Sequence, residues 1–102
     1  MNRIVRGLLS AIFIVVFANA AAADVANGEI LAKRWCAACH LVAADQPVAG
    51  QAPPFSAIGK TPELDPAKLA LFLLLPHPKM PDMNLTRSEA ADLAAYIASQ
   101  GK

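Results

Sequence analysis

The chain has only 2 cysteines in 102 residues, Cys36 and Cys39. Thiols that close in sequence cannot tie distant segments together, so a disulfide framework is excluded. Charge is scarce and balanced, with 9 basic against 8 acidic residues and a net charge of +1. A nucleic-acid binder needs a basic face, which this balance does not supply. No alternating apolar and polar run marks a β-strand, and no segment repeats. The histidines number 2. No Ser, His and carboxylate set is spaced for hydrolysis or group transfer, so no enzyme is expected.

The N-terminal apolar run, residues 8–18, is interrupted by Ser10 and falls short of the ~20 residues that span a bilayer. With Arg3 and Arg6 before it and the small-residue stretches Ala18-Asn19-Ala20 and Ala21-Ala22-Ala23 after it, residues 1–23 read as a secretory signal peptide. Cleavage is expected after Ala23, against an uncleaved anchor as the alternative. There is no adjacent Arg-Arg pair, which favours Sec export, and no cysteine near the cut for lipid attachment. Removing 23 residues from 102 leaves 79. Arg3 and Arg6 leave with them, so 7 basic residues face 8 acidic ones, a net charge of −1. A domain that small has a thin core and needs a staple, which two neighbouring cysteines do not provide as a disulfide.

The pattern of residues 24–102 is all helical. Val25, Gly28, Ile30, Leu31, Ala32 and Trp35 include helical i, i+3 and i+4 spacings over residues 24–35, with Glu29, Lys33 and Arg34 turned outward. Gly28 weakens a helix, a cost that makes sense where another helix approaches closely. Residues 41–54, with Pro47, Gly50, Pro53 and Pro54, have loop composition. So long a loop suits a chain that wraps something other than protein. One short turn follows at residues 55–58. Asp65-Pro66 then opens a helix, Asp as N-cap and Pro at the first position, which stops at Pro76. Its Leu73, Leu74 and Leu75 are read as the wall of an apolar pocket in preference to an exposed partner patch. Thr86-Arg87-Ser88-Glu89 is a capping box, with Leu85 placed to staple against Ala90. The last helix runs through Leu93 and Ile97 and ends near Gly101 as its C-cap.

Cys36-Ala37-Ala38-Cys39-His40 is the haem attachment pattern C-x-x-C-H. Thiols at this spacing can each add to one of the two vinyl groups on a haem edge. The next residue then brings an imidazole to the iron. Three other readings use the same residues. A thioredoxin-like pair needs strands and an acidic thiol at a helix start. A zinc site needs four ligands, for which His77 would join the two cysteines and His40. A plain disulfide is the third. Haem is favoured over all of them. For the iron's other face Met80, Met83 and His77 are candidates, since Met is a common partner of His in such sites. Met80, between Lys79 and Pro81 in a stiff proline-rich loop, is preferred. Met83 suits core packing instead.

With these residues in place, the chain resembles the class I cytochromes c of bacteria, which are small, soluble and carry one haem. The resemblance spans residues 24–102. It rests on Gly28, on Cys36-Ala37-Ala38-Cys39-His40, on Ala52-Pro53-Pro54-Phe55, on Pro76-His77-Pro78-Lys79-Met80-Pro81, and on Leu85-Thr86-Arg87-Ser88-Glu89 leading to Leu93-Ala94-Ala95-Tyr96-Ile97. It implies an all-α fold of three to four helices wrapped around one covalently bound haem c. It implies that Gly28 lets the first and last helices touch, with Tyr96 at the crossing. It implies that the carbonyl of Pro53 accepts the N–H of His40, and that Met80 completes the iron ligands with His40. One departure is Ala32, where such proteins often have an aromatic residue.

The function implied is one-electron carriage in the periplasm by a monomer, between redox partner proteins whose identity the sequence does not give. Lys79 and Lys60 are candidates for steering such a partner. Two alternatives stand beside it: a dedicated electron-acceptor subunit of a periplasmic dehydrogenase, and a ligand-binding haem protein with an open sixth position.

Overall fold

A computed structural model describes residues 12, 14, 22–48, 50–75 and 78–102. Almost all of the expected signal peptide, and the candidate ligand His77, lie outside the described residues. Four helices follow one another: α1 (Val25–Trp35), α2 (Phe55–Gly59), α3 (Pro66–Leu74) and α4 (Arg87–Ser99). Among the described residues there is no strand.

Local chemistry sets the helix starts. Asp24 caps α1 by accepting from the backbone N–H of Asn27 at 3.1 Å. Asp65 caps α3 by accepting from Ala67 N–H at 2.9 Å, with Pro66 at the first position. The capping box of α4 is closed in both directions, Thr86 Oγ1 accepting from Glu89 N–H and Glu89 Oε1 from Thr86 N–H, each at 3.0 Å. Each pairing satisfies a backbone donor that the helix itself leaves open.

The core lies where α1 and α4 cross, with α2 and α3 packed on the same α4. Ala32, Ala90, Leu93 and Ala94 are wholly buried there, with Leu31, Val42 and Phe55 beside them. Gly28 makes the crossing close. A Cβ at this position would sit against the backbone carbonyl of Asp92 and 2.7 Å from Tyr96 Cβ. Ala32 takes no aromatic partner's role. The ring of Tyr96 meets that of Phe55 on α2 edge to face, with centroids 6.3 Å apart.

Two sequence expectations change. The C-cap of α4 is Gln100, and no glycine of the described chain has a positive φ, so Gly101 is not a left-handed cap. Its role is contact: Gly59 and Gly101 lie backbone to backbone, and a Cβ on Gly59 would be 2.6 Å from Gly101 N. The leucine run also differs from the expected pocket wall. No residue of α3 is fully buried, and Leu71, Phe72 and Leu75 are about half exposed. Leu73, Leu74 and Leu75 border a small cavity of about 70 Å³ beside Met80 and Met83, not the larger cleft described below. The helix is apolar nearly all round and packs only one side on α4, so part of its apolar surface faces outward.

Candidate functional site

The chain leaves α1 at Trp35 without straightening. Cys36 N–H still reaches Ala32 O at 2.9 Å, and His40 N–H reaches Cys36 O at 2.8 Å. This extra turn brings Cys36, Cys39 and His40 to one side, where all three line a cleft of about 610 Å³. That volume falls within the ~300–1,000 Å³ of cofactor sites. Met80, Met83 and Pro53 line the same cleft, as does the half-exposed Trp35.

The long loop is held against the motif at several points. Phe55 N–H donates to Leu41 O at 2.9 Å and Ala52 N–H to Cys39 O at 3.2 Å. Gly50 lies flush on the motif, since a Cβ there would be 3.2 Å from Cys39 Cα. His40 Nδ1 lies 2.6 Å from Pro53 O. A carbonyl can only accept, so Nδ1 carries the proton, and the lone pair of the neutral ring is left on Nε2. The Phe55 ring packs against the imidazole with centroids 5.3 Å apart.

Sequence reasoning missed Gln46, which does most of the holding. Its Oε1 accepts from Val42 N–H at 2.9 Å, while Nε2 donates to the carbonyls of Ala37, His40 and Val48, each at 3.0 Å. Two of those carbonyls belong to the C-x-x-C-H turn itself. A glutamine in a polar loop gives no signal of this in sequence. Its partners are assembled only when the loop folds back.

The thiols are not bonded to each other. Burial, and secondarily the nearby Cys39, push the Cys36 thiol up to about 11. A disulfide-exchange pair works in the opposite sense, with a depressed thiol at a helix N-terminus. Here the pair follows a helix C-terminus, in an apolar cleft. Among the described residues no group of three or more His, Cys, Asp or Glu side chains is placed to hold a metal ion.

The two methionines differ in setting. Met83 is buried in the core, at 8% exposure, and Met80 is half-buried between two prolines' worth of loop, Pro78 and Pro81. Lys79, at φ 77°, holds the left-handed turn that leads into Met80. Lys79 also lines the cleft, whereas Lys60 is exposed at the end of α2 and does not. Two thiols, an imidazole with its Nε2 lone pair, and a thioether along one apolar cleft form a donor set that fits a haem.

The family model described as cytochrome c matches residues 25–101. The chain is 54% identical over 82 residues to cytochrome c-552 of Bradyrhizobium diazoefficiens, an alignment covering 79% of each protein. No solved structure gives a significant match. The helical order, the C-x-x-C-H turn at the foot of α1 and these matches agree, and the chain belongs to the cytochrome c family, as an electron carrier rather than an enzyme.

Proposed function

We propose that the mature protein, residues 24–102, is a periplasmic one-electron carrier with a single haem c. The observation that carries this is the convergence of Cys36, Cys39, His40 and Met80 on one cleft, with the His40 ring already fixed by Pro53. Each thiol would add across one vinyl group of the porphyrin edge, making a thioether. His40 Nε2 and the Met80 sulfur would hold the iron. The haem supplies the one-electron chemistry at its iron. The chain supplies orientation and exclusion of water. Pro53 holds the imidazole plane and strengthens it as a donor through its Nδ1–H. The neutral thioether favours the reduced state and raises the potential. Residues 1–23 would direct export and be removed. A monomer exchanging electrons with other redox proteins through the cleft mouth, beside Lys79, is the working form.

Visible spectroscopy and intact mass test this on protein made in a host that matures c-type cytochromes. A low-spin spectrum, reversible on reduction, and a mass one haem above the polypeptide are expected. Colourless protein with the mass of bare polypeptide overturns it.

The exposed Leu71, Phe72 and Leu75 of α3 favour a second reading, a dedicated acceptor subunit of a periplasmic dehydrogenase. Stable co-elution with a dehydrogenase from the native periplasm would replace the free carrier by this reading.

A further inference from the structure

The one buried acidic side chain among the described residues is Asp92, at 7% exposure, on the face of α4 that meets the start of α1. Its Oδ2 accepts from Asn27 Nδ2 at 2.9 Å, and its Oδ1 accepts from the backbone nitrogen of Asp24 at 2.7 Å. Both donors are neutral in the full-length chain. Among the described residues no Lys, Arg or His side chain pairs with this carboxylate, the ion pair present being Lys33 with Glu29. A buried carboxylate without a cation is costly, and buried charges are ordinarily paired. The close approach that sets up the contact comes from Gly28, whose missing side chain lets α1 lie on the backbone of Asp92.

We propose that the missing cation is the N-terminal ammonium of the mature protein, created by cleavage between Ala23 and Asp24 and docked on Asp92. Hydrolysis of that peptide bond converts the Asp24 amide nitrogen into a primary amine, protonated at neutral pH. It does so at an atom already 2.7 Å from Asp92 Oδ1. A hydrogen bond to a neutral donor thereby becomes a charge-assisted one. The geometry discriminates among the neighbouring small-residue cuts. Cleavage after Ala20, Ala21 or Ala22 leaves Asp24 as an internal amide and puts the ammonium on a residue before it. Ala22 and Ala23 are exposed, so a chain retaining them carries its positive charge toward solvent. Removal of the leader thus also completes the clamp between the first and last helices. This rests on the export reading proposed above, and refines it to one bond.

Intact mass and N-terminal sequencing of the haem-loaded protein from the periplasm give the first test. A chain beginning at Asp24 is expected. A chain beginning at Ala21, Ala22 or Ala23 overturns the proposal and leaves export standing, whereas an uncleaved chain removes both. The second test compares Asp92→Asn in the protein starting at Asp24 and in one secreted from another leader so that it starts at Ala23. The unfolding midpoint should shift further in the first. Equal shifts overturn the docking. The third needs no variant: the Asp24 α-amine should be acylated markedly more slowly in the native than in the unfolded protein, and equal rates overturn the docking as well.

Discussion

His40 Nδ1 donates to the carbonyl oxygen of Pro53 at 2.6 Å, joining two residues 13 positions apart that line the same cleft. The bond fixes which ring nitrogen is free before any ligand binds. The Nδ1 proton is therefore expected to exchange slowly with solvent in the folded protein. Hydrogen exchange followed by nitrogen-resolved NMR of the reduced form checks this. Rapid exchange at all pH values would mean that the ring is held by something else.

Met80→Ala should remove the red charge-transfer band of a thioether–iron bond in the oxidised protein and lower the midpoint potential. Met83→Ala should leave that band in place. Its side chain is buried in the core, so its loss should instead cost about 2–5 kcal/mol of stability. Spectra and denaturant titration of both variants decide the assignment. The reverse pattern would give the ligand role to Met83.

Gln46→Ala leaves the Ala37 and His40 carbonyls without their side-chain donor. About 1–3 kcal/mol of stability should go with it, together with a broadened or shifted potential as the C-x-x-C-H turn loosens. Gln46→Glu should be no rescue, because a carboxylate cannot donate. Voltammetry beside denaturation separates the effect on the turn from a general loss of folding.

Gly28→Ala would improve an isolated helix by about 0.8–1 kcal/mol. Here it should destabilise, because the new Cβ meets the Asp92 carbonyl and lies 2.7 Å from Tyr96 Cβ. Overpacking of this kind costs about 1–3 kcal/mol. Thermal unfolding of the haem-loaded protein checks the sign. A rise in midpoint would show that α1 and α4 can separate without loss.

The Tyr96 hydroxyl donates to Val42 O at 2.7 Å, in the interior. Tyr96→Phe leaves that carbonyl unpaired, a loss of about 1–3 kcal/mol, while the haem spectrum stays as it was. Burial raises the Tyr96 phenol above its ordinary value of 10.0, with Glu29 adding to the rise and Lys33 opposing it. The folded protein then holds this proton more tightly than the unfolded chain. Its contribution is complete below pH 10.0 and is lost as pH rises above that value. The alkaline fall in stability should be shallower in Tyr96→Phe, as measured by denaturant midpoints across that range.

Much of the fold is written locally. Asp24, Asp65-Pro66 and the Thr86–Glu89 box are short-range signals, because a capping side chain reaches backbone donors two or three residues away. The C-x-x-C-H turn is local too, which is why Cys36, Cys39 and His40 could be named together. Pro53 came from family resemblance, since 13 intervening residues leave its partner open. Gly101 was misread for a related reason. Its chemistry permits a left-handed cap or a close contact, and only the presence of Gly59 opposite it selects the second.

The amino-acid order alone determined the helices, their N-caps, and the grouping of Cys36, Cys39 and His40 on one cleft, since each depends on neighbours within a few positions. Tertiary structure decided which loop atoms hold His40, that Gln46 ties the motif, that the outer side of α3 is left exposed, and that Asp92 meets the start of α1. Those outcomes depend on which backbones pass one another, and a hydrogen bond or an excluded Cβ between segments acquires its energy only once packing has brought them within a few ångströms.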